Sequence, residues 1–231
     1  MPKPNFDKCT REATKLLYKQ TITDRVLNVT TLKYDKNILF DSIQNYCLYT
    51  RVPIKYFISE EKDTLKNGCT IYDKKTGYYI VLYNAEITYF EHRNWTLGHE
   101  IGHIYLGHTK DGDIEEVEAH FFASQLFMPE YSIYMMAHEY GPVSVDALVE
   151  VFGVSPEAAK KRIGTMNKKY CVSTTEKDKE IWESQKERVA IYYDCLKDGA
   201  DYRSTLIAWD NFKHEYERAQ RAEMYSQMQY Y

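Results

Sequence analysis

The chain has 231 residues, with 30 Lys and Arg against 34 Asp and Glu, for a formal charge of −4. That balance argues against a general polyanion binder, and the length suffices for one buried core plus an appendage. No apolar run approaches a membrane span (Tyr78–Tyr83 is typical), the N-terminus lacks the basic-then-apolar pattern of a secretory signal, and the cysteines (Cys9, Cys47, Cys69, Cys171 and Cys195) are odd in number and scattered, which fits a reducing cytoplasm.

Residues 7–20 read as a helix with Ala13, Leu16 and Leu17 inward, and a second helix is expected from about Lys36 to Tyr49, carrying Ile38, Phe40, Ile43 and Cys47. Val52–Ile58 reads as a strand. Thr70–Asp73 and Gly77–Tyr83 read as two strands joined by a turn at Lys74-Lys75-Thr76-Gly77. The result is a small antiparallel sheet. An edge strand there is able to accept a peptide as an added strand, although a simple covering sheet satisfies the pattern equally.

Thr88 and Glu91 have capping-box spacing, and Phe90, Leu97, Ile101, Ile104 and Tyr105 continue at helical spacing until Gly107. Inside this helix lies His99-Glu100-Ile101-Gly102-His103. Residues four apart stack on one helix face, so His99 and His103 are able to offer two imidazole nitrogens to one metal ion. Glu100 then sits beside the metal as a general base. Gly98 and Gly102 each cost this helix about 1 kcal/mol relative to alanine. Two such costs beside the histidines suggest that another backbone or a metal-site helix approaches closely.

A catalytic zinc site needs a third protein ligand. A second helix, with Asp113 as N-cap, is expected to run to Met128 before Pro129. Glu116, Ala119, His120 and Ala123 share one face of it, so Glu116 is favoured as the ligand. Glu118 points about 140° from Ala123 at 100° per residue and suits the surface, while Glu115 is harder to exclude. His120 is either an orienting partner of the site or a satisfied histidine in a helix contact. His108 suits carbonyl capping or solvent, and His92, His138 and His214 lack ligand spacing.

Residues 144–167 resemble a helix-turn-helix. Ser144 caps a helix with Val145, Leu148, Val149 and Phe152; Gly153 breaks it, and Ser155-Pro156 opens the next, with Ala159, Ile163 and Met166. Lys160, Lys161 and Arg162 form a basic cluster, yet Gly141–Tyr170 has five basic residues against three acidic, a weak phosphate footprint. Packing or substrate docking is therefore preferred over DNA contact. Trp182, Val189, Tyr192 and Leu196, then Tyr202, Leu206, Trp209, Tyr216 and Ala219, form two helical stripes on either side of Gly199, a helical hairpin.

Several of these segments together carry a resemblance. Gly68-Cys69-Thr70-Ile71, Tyr78-Tyr79-Ile80, Tyr83-Asn84, Trp95 to His108, Glu116 to Ala123, Leu126-Phe127-Met128-Pro129, and Phe152 to Ala159 with Arg162 resemble the ImmA/IrrE family of zinc metallopeptidases. The likeness spans about residues 36–170; His120 and Gly98 depart from the family's usual residues. It implies an α+β fold, with a mostly helical zincin-like core and the small antiparallel sheet. It also implies that His99, His103 and Glu116 bind zinc and that Glu100 is the general base.

The expected divisions are a metallopeptidase domain over 1–140, the helix-turn-helix-like segment over 141–170 and a helical extension over 171–231. The resemblance also implies the partner, a protein substrate that is a helix-turn-helix transcriptional repressor of phage or mobile-element type; neither a membrane nor direct nucleic-acid binding is expected. The oxyanion donor is open among His120, Tyr131 and His138, and the ligand set would also accept iron, manganese or cobalt. The alternative is a catalytically silent regulatory protein that binds a repressor or DNA without cleavage; retention of Glu100 argues against it.

Overall fold

Asn5 opens the first helix, α1 (Phe6–Tyr18), by accepting a hydrogen bond from the Lys8 amide, and Cys9, Ala13, Leu16 and Leu17 turn inward along it. The computed structural model describes residues 3–20, 26–59, 63–110, 112–168, 172 and 174–228, and the backbone alone at 217 and 221–228. Among the described residues the architecture is α+β and mostly helical.

The stretch expected as one helix from Lys36 to Tyr49 divides in two. Ile38–Ser42 is a strand, β1, and Ile43–Thr50 a helix, α2. Ser42 marks the junction: its hydroxyl accepts from the Asn45 amide, a helix cap at the end of a strand. Ile38 and Phe40 are two apart, a strand period, whereas Ile43 and Cys47 are four apart, a helix period. The single helical reading merged the two. Val52–Ile58 also differs. After Pro53 the chain makes a 3-10 turn over Ile54–Phe57, leaving only Ile58–Ser59 (β2) to pair with Thr64–Leu65 (β3). Only Phe57 of that turn is buried, while Ile54 and Tyr56 are exposed, so the apolar run does not line a sheet face.

Gly68–Asp73 (β4) and Tyr78–Tyr83 (β5) form the expected antiparallel hairpin. On its other side β5 pairs in parallel with β1, Ile38 opposite Tyr79 and Ser42 opposite Tyr83. The three-stranded sheet, in the order β1-β5-β4, is therefore mixed rather than antiparallel, and among the described residues β4 is an edge.

Two central helices follow, α3 (Phe90–Leu106) and α4 (Asp113–Phe127). The Thr88–Glu91 capping box does not form, because α3 begins with Tyr89 in the cap position and no side-chain cap bond. Gly112 occupies the cap of α4, which leaves Asp113 as its first helical residue, favourable to the helix dipole. The two helices lie close. A Cβ on Gly102 would meet the Ala119 carbonyl oxygen at 3.1 Å, and one on Gly98 would meet the Phe127 ring at 2.5 Å. The α4 backbone is thus the close neighbour at Gly102, and an aromatic side chain at Gly98.

Next come α5 (Glu130–Tyr140), α6 (Val145–Phe152) and α7 (Pro156–Met166). The local signals of the last two hold: Ser144 and Ser155 cap them, Gly153 takes a φ of 62° between them, and Pro156 starts α7. The C-terminal pair is α8 (Glu176–Asp198) and α9 (Tyr202–Met228), with Gly199 left-handed at the turn. Trp182, Val189 and Tyr192 are buried on α8, but Leu196 is exposed and Cys195 takes the inward place. One buried apolar cluster runs from Cys9 on α1 through Ile101, Phe122 and Leu148 to Tyr202.

Candidate metal centre

On α3, His99 and His103 stack one turn apart with their Nε2 atoms 3.0 Å from each other. Glu116, in the first turn of α4, straddles them: Oε2 lies 3.3 Å from His99 Nε2 and Oε1 lies 3.4 Å from His103 Nε2. Ligand atoms of all three fall within 4.8 Å of one another. The close approach of α4 at Gly102 makes this reach possible.

Three groups that offer lone pairs repel at such distances unless a proton or cation lies among them. Ligands held 2.0–2.1 Å from a tetrahedral zinc ion stand about 3.3 Å apart, which matches the observed spacing. The donor set fits a divalent metal. In the chain alone, the His99 hydrogen bond is the main influence that holds the Glu116 carboxyl down at about 2, against burial, which raises it.

Glu100 follows His99 and turns toward the sheet, where the Thr70 hydroxyl on β4 donates to its Oε2 at 2.7 Å. β4 comes this near because of Gly68, where a Cβ would meet Thr96 Cγ2 at 2.6 Å and Glu100 Cγ at 3.5 Å. Thr70 was not anticipated. The contact depends on how the sheet docks on α3, which no local pattern reports.

The remaining candidates separate clearly. Glu115 turns back toward Lys110, 3.7 Å away, and does not join the histidines. His120 packs its ring on that of His99, centroids 4.3 Å apart; burial of the ring and then the nearby His99 lower its pKa. Tyr131 and His138 belong to a ring series with Tyr134 on α5. His92 approaches Asn67 at 3.5 Å.

Two expectations are corrected. Glu118, assigned to the surface, is buried; its Oε1 accepts from the Asn5 amide at 2.6 Å, and its Oε2 meets His108 Nε2 at 2.9 Å. Helix α4 is covered by α3 on one side and α1 on another, so a reading from one apolar face misplaces it. His108, assigned to capping or solvent, faces His103 instead, their Nδ1 atoms 3.1 Å apart. The left-handed Gly107, with φ of 72°, folds it back over the helix end, a signal that was present in the sequence.

The basic cluster on α7 is likewise divided. Lys160 and Lys161 are exposed, with Lys161 paired to Glu157. Arg162 is 1% exposed; its Nε and Nη2 donate to the Met128 carbonyl at 3.0 and 2.7 Å, and Nη2 also donates to Gln125 Oε1. Burial lowers its pKa to about 10, opposed by Glu130. Arg162 joins α7 to the α4–α5 junction and offers nothing to a phosphate.

Cys9, Cys47 and Cys195 are free thiols, and Cys171 lies outside the described residues. Among the described residues no helix is long and apolar enough to cross a membrane. Residues 57–164 match the peptidase family model described as IrrE N-terminal-like domain. No curated protein matches the chain.

Proposed function

We propose that this chain, whose residues 57–164 belong to the IrrE N-terminal-like peptidase family, is a zinc-dependent endopeptidase that cuts a protein partner. The observation that carries this reading is the meeting of His99, His103 and Glu116 beside a carboxylate, Glu100, that is not part of the set. A site serving structure alone has no use for that fourth group.

His99, His103 and Glu116 would hold the cation, which when bound would supply Lewis acidity to a scissile carbonyl and to a water, whose pKa would fall toward about 7. Glu100 takes a proton from the attacking water and passes it to the leaving nitrogen. Thr70 holds Glu100 by its Oε2 through both transfers. Among the described residues β4 has a strand partner on one side only, so a substrate added there as a further strand would run past Thr70 and reach the base. His120, in contact with His99, is the favoured donor to the developing oxyanion.

The substrate proposed is a helix-turn-helix transcriptional repressor of phage or mobile-element type, on the strength of the family resemblance. The free thiols of Cys9, Cys47 and Cys195 support a reducing, cytoplasmic setting. The test is to incubate zinc-loaded protein with candidate repressors, above all any encoded by a neighbouring gene, and to map cuts by mass spectrometry. Glu100→Gln should slow cleavage by about 10²- to 10⁴-fold with bound metal unchanged. If Glu100→Gln inactivates the partner as well as the unmodified chain does, hydrolysis is not the function.

A further inference from the structure

The proton positions around His103 lead away from the metal centre, along a path that ends at the N-terminal helix. His103 turns Nε2 toward His99 and Glu116, and a nitrogen that binds a cation carries no proton. Its proton is therefore on Nδ1, which lies 3.1 Å from His108 Nδ1. His108 accepts there, so its own proton sits on Nε2, 2.9 Å from Glu118 Oε2. The ionised Glu118 accepts it, and its second oxygen accepts from the Asn5 amide at 2.6 Å. Each link has a donor and an acceptor in a single consistent direction once His103 is a ligand.

We propose that His108, Glu118 and the Asn5 amide position His103 for metal, making α1 part of the metal centre although it lies outside the matched residues 57–164. This rests on the reading of His103 as a ligand. The path is enclosed: the side chains of His108 and Glu118 are 7% and 12% exposed. Lys8, on α1, donates to the Leu106 carbonyl at 2.5 Å and holds the end of α3 against the same helix. Hydrogen bonds to an ionised carboxylate in such surroundings are strong and directional, and they fix both the tautomer and the plane of each ring. The other ligand is held differently. His99 Nδ1 is buried with no hydrogen-bond partner among the described residues, so the support is specific to His103.

The path is tested by zinc affinity, measured against a competing chromophoric chelator, and by the visible spectrum of the cobalt(II)-loaded protein, which reports ligand geometry without activity. His108→Phe keeps bulk and removes both hydrogen bonds; zinc affinity should fall about 10- to 100-fold. His108→Asn restores an acceptor near Nδ1 and should recover part of the loss. Glu118→Gln keeps an acceptor without charge and should lose less than His108→Phe. Asn5→Pro removes the amide, whereas Asn5→Ala keeps it, so only the first should weaken binding. Thermal unfolding of the metal-free variants separates these effects from general destabilisation. Unchanged zinc affinity in His108→Phe overturns the proposal. Should that variant fail to fold, unchanged affinity in both Glu118→Gln and Asn5→Pro does so instead. If zinc binding is equal in the unmodified chain and His103→Ala, the ligand reading itself has failed.

Discussion

The α3–α4 pair and the pairing of α7 with the α4–α5 junction both bring charged or polar side chains out of water where helices meet. At α3–α4 the groups that converge are two imidazole nitrogens and a carboxylate, all able to offer lone pairs. At α7 the buried group is a guanidinium, and what surrounds it are acceptors: the Met128 carbonyl, the Gln125 side chain and, 3.6 Å away, Glu130. Like groups brought together call for a cation from outside, whereas a cation set among acceptors is already matched within the fold. The same kind of burial thus makes a binding site in one place and a structural joint in the other. It also removes the one arginine of the basic cluster from any nucleic-acid surface.

The contrast breaks most completely at the first pair. His99→Ala or Glu116→Ala should abolish stoichiometric zinc, read by elemental analysis of the purified protein, and reduce cleavage to background while the fold survives. At the second pair the expected effect is on stability. Arg162→Met withdraws the charge facing Glu130 and should destabilise the chain by about 3 kcal/mol or more in urea unfolding, as when one partner of a buried ion pair is removed. Zinc affinity should change far less than stability. Were metal lost in proportion, the two joints would not be separable.

Smaller changes sharpen the distinction. Gly102→Ala places a methyl 3.1 Å from the Ala119 carbonyl oxygen, so α4 must shift and carry Glu116 with it. The strain, about 1–3 kcal/mol, is offset by about 1 kcal/mol of helix propensity, so stability should fall by at most about 2 kcal/mol, together with some zinc affinity, whereas an alanine at exposed Gly164, where a Cβ meets nothing within 4 Å, should leave metal binding unchanged. The smallest effect expected is that of Thr70→Val, which keeps shape and removes the hydroxyl that donates to Glu100. Loss of that bond, worth about 1.5 kcal/mol, should lower turnover roughly tenfold with zinc affinity unchanged, separating the base from the ligands.

Much of the centre was legible because its information is local. His99, Glu100 and His103 lie within about one turn, and the caps at Ser144 and Ser155 act through backbone amides three residues away. Glu116 was within reach because a helix period and two alanines pointed one face toward glycines on its neighbour. The elements misread were those with two meanings at short range. Ile38 and Phe40 become a strand only because β5 is there to pair with them, and Ile54–Phe57 turns because Pro53 and the exposure of its apolar residues favour no sheet.

Residue type and helical period sufficed for the chemistry on offer here: two imidazoles, a base between them and a carboxylate on a second helix. They could not place Glu118, His108, Thr70 or Arg162, whose roles depend on which element lies over them. Glu118 meets an amide 113 residues earlier in the chain, and Arg162 reaches a carbonyl 34 residues back. Patterns along a chain report on its own turn and face, whereas burial of a polar group is decided by the helix that arrives to cover it.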